Sequence, residues 1–178
     1  MTGPRVYLVG SLRNPIVVDV HKTLAAAGFD CFSEWFAAGP EADDYWQRHS
    51  KALGRPYREA LASAAAQNVF AFDLRNILAA DVVVLVAPAG KSGHLELGFA
   101  AGRGKPTFIL MDEPKKADRW DVMALFAGEP IDDEELDFSD FYREPGVVYS
   151  IDELVERITA YMAALVLNSV PNNPERLT

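Results

Sequence analysis

The sequence predicts an α/β protein: a doubly wound, five-stranded parallel sheet in the order 2-1-3-4-5, with a helical insertion after strand 2. Two observations carry this expectation. Short apolar runs alternate with helical patterns five times along the 178 residues, and such alternation folds as right-handed crossovers over a parallel sheet. Runs such as "DVVVLVA" (81–87) are apolar throughout rather than alternating, as strands covered on both faces must be. The length suits one domain, read here as 1–167 with the insertion at about 40–67 and a loose polar tail at 168–178.

Each element has a local reason. Residues 6–9 form an apolar run that ends at Gly10-Ser11, a buried strand followed by a turn. Ile16, Val17, Val20, Leu24 and Ala27 recur at helical spacing, and Gly28 stops that helix. Residues 29–36 read as the second strand. The segment 43–67 reads as helical but broken at Gly54 and Pro56, and 68–80 as a further helix. After Asp81, 82–86 is the third strand. A helix over 93–102 follows, capped by Ser92 and with Glu96 in its first turn. Then come a strand over 107–111, a short helix over 119–127, an acidic solvated loop "GEPIDDEELDFSDF" (128–141), and a strand over 147–149. The closing helix spans 151–167, with Ser150 as N-cap and Glu153 completing a capping box.

Composition narrows the function classes. The net charge of −9 argues against nucleic-acid polymers and anionic membranes as partners. Cys31 is the one cysteine, so neither a disulfide framework nor a cysteine-rich metal site forms within the chain, which fits a reducing cytoplasm. The opening residues carry too short an apolar run for a signal peptide, and no segment has the length of a membrane span.

In a sheet of this order the ligand sits beyond the strand C-termini beside strand 1, where the loops 10–15 and 87–96 land. The second of these, "PAGKSGHLELG" (88–98), admits three readings. Gly90-Lys91-Ser92 hints at a phosphate loop, but that motif needs a glycine five residues before Gly90, where Leu85 stands inside the strand. His94-Leu95-Glu96 hints at a zinc deaminase, but the paired cysteines of that chemistry are missing. The third reading is a carboxylate, Glu96, presented at the sheet edge. Gly90 and Gly93 let a ligand approach the backbone there, and the amides of Gly93 and His94 favour a polar or anionic group. A carboxylate so placed can attack an electrophilic carbon.

The segments "VYLVGSLRNP" (6–15), "FAFDLRNILAADVVVLVAPAGKSGHLELGFAAGRGKPTFIL" (70–110) and "WDVM" (120–123), in this order, resemble the nucleoside 2-deoxyribosyltransferase family. The resemblance implies a flavodoxin-like fold and cleavage of the N-glycosidic bond of a 2′-deoxynucleoside. Glu96 would be the nucleophile at C1′, giving a deoxyribosyl ester that another base or water releases. It implies no metal or organic cofactor, and a homodimer or higher homo-oligomer. Tyr7 matches a tyrosine that orients the nucleophile, though it also suits a core aromatic. Asp73 matches an aspartate that faces the site and binds or protonates the base. Asp81 is expected to receive a backbone amide. Asp121 and Met123 match a pair that reaches a neighbouring subunit's site.

Gly10, Ser11, Arg13 and Asn14 resemble the phosphate-holding loop of the family's 5′-monophosphate N-glycosidase branch, with Ser92 and Lys91 near by. The base-reading aspartate of many transferases has no counterpart among Gly90, Lys91 and Ser92. Nucleoside against 5′-monophosphate, and transferase against hydrolase, therefore stay open. Trp35 and Trp46 are expected to pack the insertion or stack on a base. His49 reads as surface, and His94 as a candidate ligand contact. The rival from another class is a nucleotide-binding sensor or scaffold that keeps the fold without turnover.

Overall fold

The computed structural model describes residues 3–118, 120–131 and 142–169. Its sheet has five parallel strands in the order β2-β1-β3-β4-β5, so the predicted topology and layering are present. The strands are β1 (Arg5–Val9), β2 (Asp30–Phe32), β3 (Val82–Val86), β4 (Thr107–Leu110) and β5 (Val147–Val148). The helices are α1 (Ile16–Ala26), α2 (Ala42–Ala52), α3 (Tyr57–Leu61), α4 (Ala64–Ala79), α5 (Lys91–Gly102) and α6 (Ile151–Ser169).

Alternate β-strand residues face opposite layers. Val6, Leu8, Val82, Val84 and Val86 pack against Val17, Val20 and Leu24 of α1 and Leu154 and Ile158 of α6. Tyr7, Val9, Val83 and Leu85 point the other way, toward Ile77 of α4 and Leu97 and Ala100 of α5. All five β3 residues are buried, because the central strand is covered on both sides. Gly28 adopts φ +96°, which lets the chain reverse between α1 and β2.

Several boundaries differ from expectation. The second strand is three residues, not eight. Beyond Phe32 the chain winds into a 3-10 turn, Glu34–Ala38, and Trp35 turns inward to donate its indole N–H to the Leu8 carbonyl at 2.7 Å. The insertion is α2 and α3, broken at Gly54 (φ +67°) and Pro56 as the sequence suggests. Helix α4 starts earlier than predicted because Ser63 caps it, accepting from the Ala66 amide. Helix α5 starts two residues early, at Lys91; its N-cap is Gly90, not Ser92. The predicted helix over 119–127 is a 3-10 turn, Val122–Phe126. Most of the acidic loop, and the tail from 170, lie outside the described residues. No described helix is long and apolar enough to cross a membrane.

The closing helix has the expected cap. Ser150 Oγ accepts from the Glu153 amide at 3.1 Å, and the Glu153 carboxylate accepts from the Tyr149 amide at 2.8 Å. Ser150→Ala is expected to cost about 1 kcal/mol, which lowers the thermal midpoint by about 2–4 °C in a chain of this size. Thermal unfolding followed by circular dichroism checks this, and an unchanged midpoint contradicts it.

Candidate active site

The site is built on the centre of the sheet. Tyr7 lies in β1, opposite Phe32 of β2 and Val83 of β3. Its ring stacks on Phe32 with centroids 5.4 Å apart, and Phe32 leans on Phe72 of α4 at 5.7 Å. These rings fix where the phenol points. Its hydroxyl stands 3.3 Å from Asp73 Oδ1 of α4 and 3.3 Å from Glu96 Oε2 of α5.

Helical spacing brings both acids inward. Gly93, Leu97 and Ala100 are the buried residues of α5, and Glu96 lies on that stripe. It is in the second turn of α5, not the first, so the favourable end-of-helix dipole does not account for an acid there. Asp73 likewise lies one turn before Ile77, the buried residue of α4. An acid on an apolar stripe is expensive unless it is partnered.

The electrostatics record that cost. Burial, then the neighbouring Asp73 carboxylate, raises the Glu96 carboxyl to about 7, against the opposing bond from Tyr7. Burial also raises Asp73, again opposed by the Tyr7 bond. Burial and the two carboxylates push the Tyr7 phenol upward, so it stays protonated. Among the described residues, no Lys, Arg or His forms an ion pair or hydrogen bond with either acid.

The other predicted residues divide between packing and surface. Gly93 serves packing: a Cβ there would sit 3.0 Å from Val9 Cγ1 and 3.4 Å from Leu85 Cδ1, so the glycine lets α5 approach the sheet. Gly10 is similarly close to Val17 and Trp35. Gly90 has open space around it. Asn14 is buried; its amide donates to the Val86 and Ala87 carbonyls at 3.3 and 3.1 Å and accepts from the Ile16 amide. It staples the 10–15 loop to the end of β3. Ser11 Oγ accepts from the Arg13 amide, and the Arg13 guanidinium pairs with Asp44 of α2 at 2.6 Å.

Ser92, Lys91 and His94 are exposed on α5. His94 Nδ1 lies 2.9 Å from the Gly90 carbonyl, closing the first turn of its own helix, and the His94 amide also bonds Gly90 O. A shallow depression lined by Ala89, Lys91, His94 and Leu95 sits on this outer turn; it does not include Tyr7, Asp73 or Glu96. Asp121 accepts from the Met123 amide and caps the 122–126 turn, with Met123 exposed. Asp81 accepts the Arg5 amide at 2.7 Å, the structural role expected of it. Trp35 packs the insertion side onto the core. Trp46 is half-buried, and its indole N–H has no partner.

Sequence reasoning missed Phe32 and Phe72 as supports of the phenol. Their apolar character reads as core in any strand or helix, and only the pairing register brings Phe32 beside Tyr7. Among known proteins, no family model matches the chain and no curated protein does either.

The Glu96 shift makes stability depend on pH. Folded Glu96 keeps its proton to about 7, whereas the ordinary value is 4.5. Between these values the folded chain binds more protons than the unfolded one, so stability falls as pH rises through that window. The loss amounts to about 3 kcal/mol. Glu96→Gln is therefore expected to be more stable than wild type above pH 7, with the gap closing below pH 4.5. Urea denaturation at pH 4.5 and 8 measures it; a gap that does not change with pH contradicts the assignment.

Proposed function

We propose that this protein cleaves the N-glycosidic bond of 2′-deoxynucleosides or their 5′-monophosphates, through a covalent deoxyribosyl ester on Glu96, and passes the sugar to another base or to water. The observation that carries the reading is the pair of half-buried carboxylates held by one tyrosine. Their bonded oxygens are at most twice 3.3 Å apart. Retaining glycosidases place nucleophile and acid/base about 5–5.5 Å apart, a span this arrangement accommodates.

The roles follow from chemistry. Glu96 attacks C1′ as the bond to the base breaks, through an oxocarbenium-like transition state that a buried carboxylate stabilises. Asp73 supplies the proton that makes the base a better leaving group. Tyr7 orients the nucleophile. An acid near neutrality suits this work, because both protonation states are accessible at physiological pH.

At the 5′ end, Arg13 is already matched by Asp44, and the Asn14 side chain is engaged by backbone groups. A 5′-phosphate would draw Arg13 from an exposed ion pair, which is worth only about 0–1 kcal/mol. Both substrate forms therefore stay in the proposal. The exposed apolar residues Trp120, Val122, Met123 and Phe126 offer a second copy the contact that the family resemblance implies.

Glu96→Ala is expected to lower release of free base from deoxynucleosides and deoxynucleotides by about 10³-fold or more, with circular dichroism unchanged. Chromatography of the products measures this. Intact mass of wild type quenched during turnover should show one added deoxyribosyl group, absent in the variant. A fully active Glu96→Ala protein sinks the reading.

A further inference from the structure

A phenol carries one proton, yet Tyr7 contacts two carboxylates. A hydroxyl donates once and accepts through its lone pairs. With Oη 3.3 Å from both Asp73 and Glu96, it donates to one oxygen. A proton on one of the carboxyls turns the other contact into a bond donated to an Oη lone pair. The geometry accommodates one carboxyl proton held by the pair.

The surroundings agree. From β1, Arg5 Nη2 donates to Asn76 and the guanidinium lies 5.3 Å from the Phe32 ring centroid, with its Nε unpartnered among the described residues. From β2 and β3 come Phe32, Val83 and Leu85, all apolar. From α5, His94 is turned to the Gly90 carbonyl, and from α4 Arg75 is exposed. No neighbouring cation balances a second negative charge at the described residues. The Glu96 carboxyl, raised to about 7 by burial and by Asp73, is assigned the proton at rest. That resting form, Glu96-COOH with ionised Asp73, is the reverse of what attack requires.

We propose that the Tyr7 hydroxyl is a proton relay that converts the resting pair into the reactive one. Glu96 donates its proton to Tyr7 Oη as Tyr7 donates its own to Asp73. Two O–H bonds break, two form, and no proton leaves the site. Glu96 becomes the carboxylate nucleophile and Asp73 the acid in the same event. When Glu96 attacks C1′, the Asp73 proton goes to the departing base and Asp73 is left ionised. In release by water, the water proton returns to Asp73, hydroxide oxygen bonds C1′, and Glu96 departs as carboxylate.

This relay rests on the glycosidic reading above, and the experiment separates their failures. Two substrates are compared in single turnover. 2′-Deoxyguanosine needs a proton on its leaving base. 7-Methyl-2′-deoxyguanosine carries a cationic base that leaves without one. Asp73→Asn is expected to slow base release from the first by about 10²-fold or more, the usual worth of general acid catalysis, and from the second by less than about 10-fold. Tyr7→Phe strands the proton on Glu96 and is expected to slow both substrates at about pH 6, with the loss on the second recovered above about pH 8, where solvent takes that proton. A Tyr7→Phe loss on the second substrate that does not change with pH, the mark of a merely structural tyrosine, or equal losses on both substrates in Asp73→Asn, overturns the relay.

A carboxyl titration needs no turnover. With ¹³C-labelled Asp and Glu side chains, the wild-type Asp73 and Glu96 signals should move together through two steps, the second near neutrality. In Tyr7→Phe they should separate, each moving in its own step. Both carboxyls ionising below pH 5 in wild type overturns the relay even if base release is observed. Absence of base release from every deoxynucleoside with the shared titration intact overturns the glycosidic reading instead.

Discussion

One phenol between two half-buried carboxylates is the constraint around which this structure is arranged. Burying an acid costs several kcal/mol unless it is paired or hydrogen-bonded, and here there are two acids and no neighbouring cation at the described residues. Among the described residues, Tyr7 is the one side chain that bonds either of them. The phenol in turn has to be held, so Phe32 stacks on its ring and Phe72 backs Phe32. Glycine at position 93 lets α5 descend onto Val9 and Leu85, which brings Glu96 within reach. The aromatic stack and the packing glycine serve one contact.

Topology decides where that contact can occur. In the order 2-1-3-4-5, β1 lies between β2 and β3, so Tyr7 sits near the middle of one sheet face. Helices α4 and α5 lie over that face and supply one acid each. The opposite layer, α1 and α6, meets the sheet chiefly through apolar side chains, Val17, Val20, Leu24, Leu154 and Ile158 among them. The two sides of the sheet thus divide the labour. One is a dry core that stabilises the fold, and the other spends part of that stability on buried charge, the trade expected where function requires a strained site.

Much of this was legible in the sequence, for identifiable reasons. Strand β3 is an unbroken valine-rich run, and its span was readable to the residue because burial on both faces demands that pattern. Ser150 and Glu153 announced α6 through capping chemistry that acts locally. What failed were features set by tertiary contact. Residues 29–36 look like a strand because aromatic residues favour strands, but Trp35 turns inward to reach Leu8, and the pairing ends at Phe32. Gly90-Lys91-Ser92 reads as a turn with a serine cap; the helix has already begun at Lys91. That displacement of two residues moves Glu96 from a helix end, where an acid is ordinary, to an apolar stripe, where it is not. The Arg13–Asp44 pair spans 31 positions, and no local pattern signals it.

The charge state of the pair gives the arrangement its chemical logic. Two ionised carboxylates about 6 Å apart repel by about 3 kcal/mol at an effective dielectric of 20, which adds to the larger effect of burial in holding one proton toward neutrality. With Glu96 protonated and Asp73 ionised, the pair carries a single negative charge. In the proposed relay the charge would move to Glu96 and the proton to Asp73, and the sum would be the same. In the proposed ester Glu96 would be neutral and Asp73 ionised again. A site that never changes its net charge needs no counterion to enter or leave, and its apolar surroundings need not be resolvated as the reaction proceeds. That constancy is what a single hydroxyl shared by two acids supplies, and a lone carboxylate in the same slot would lack it.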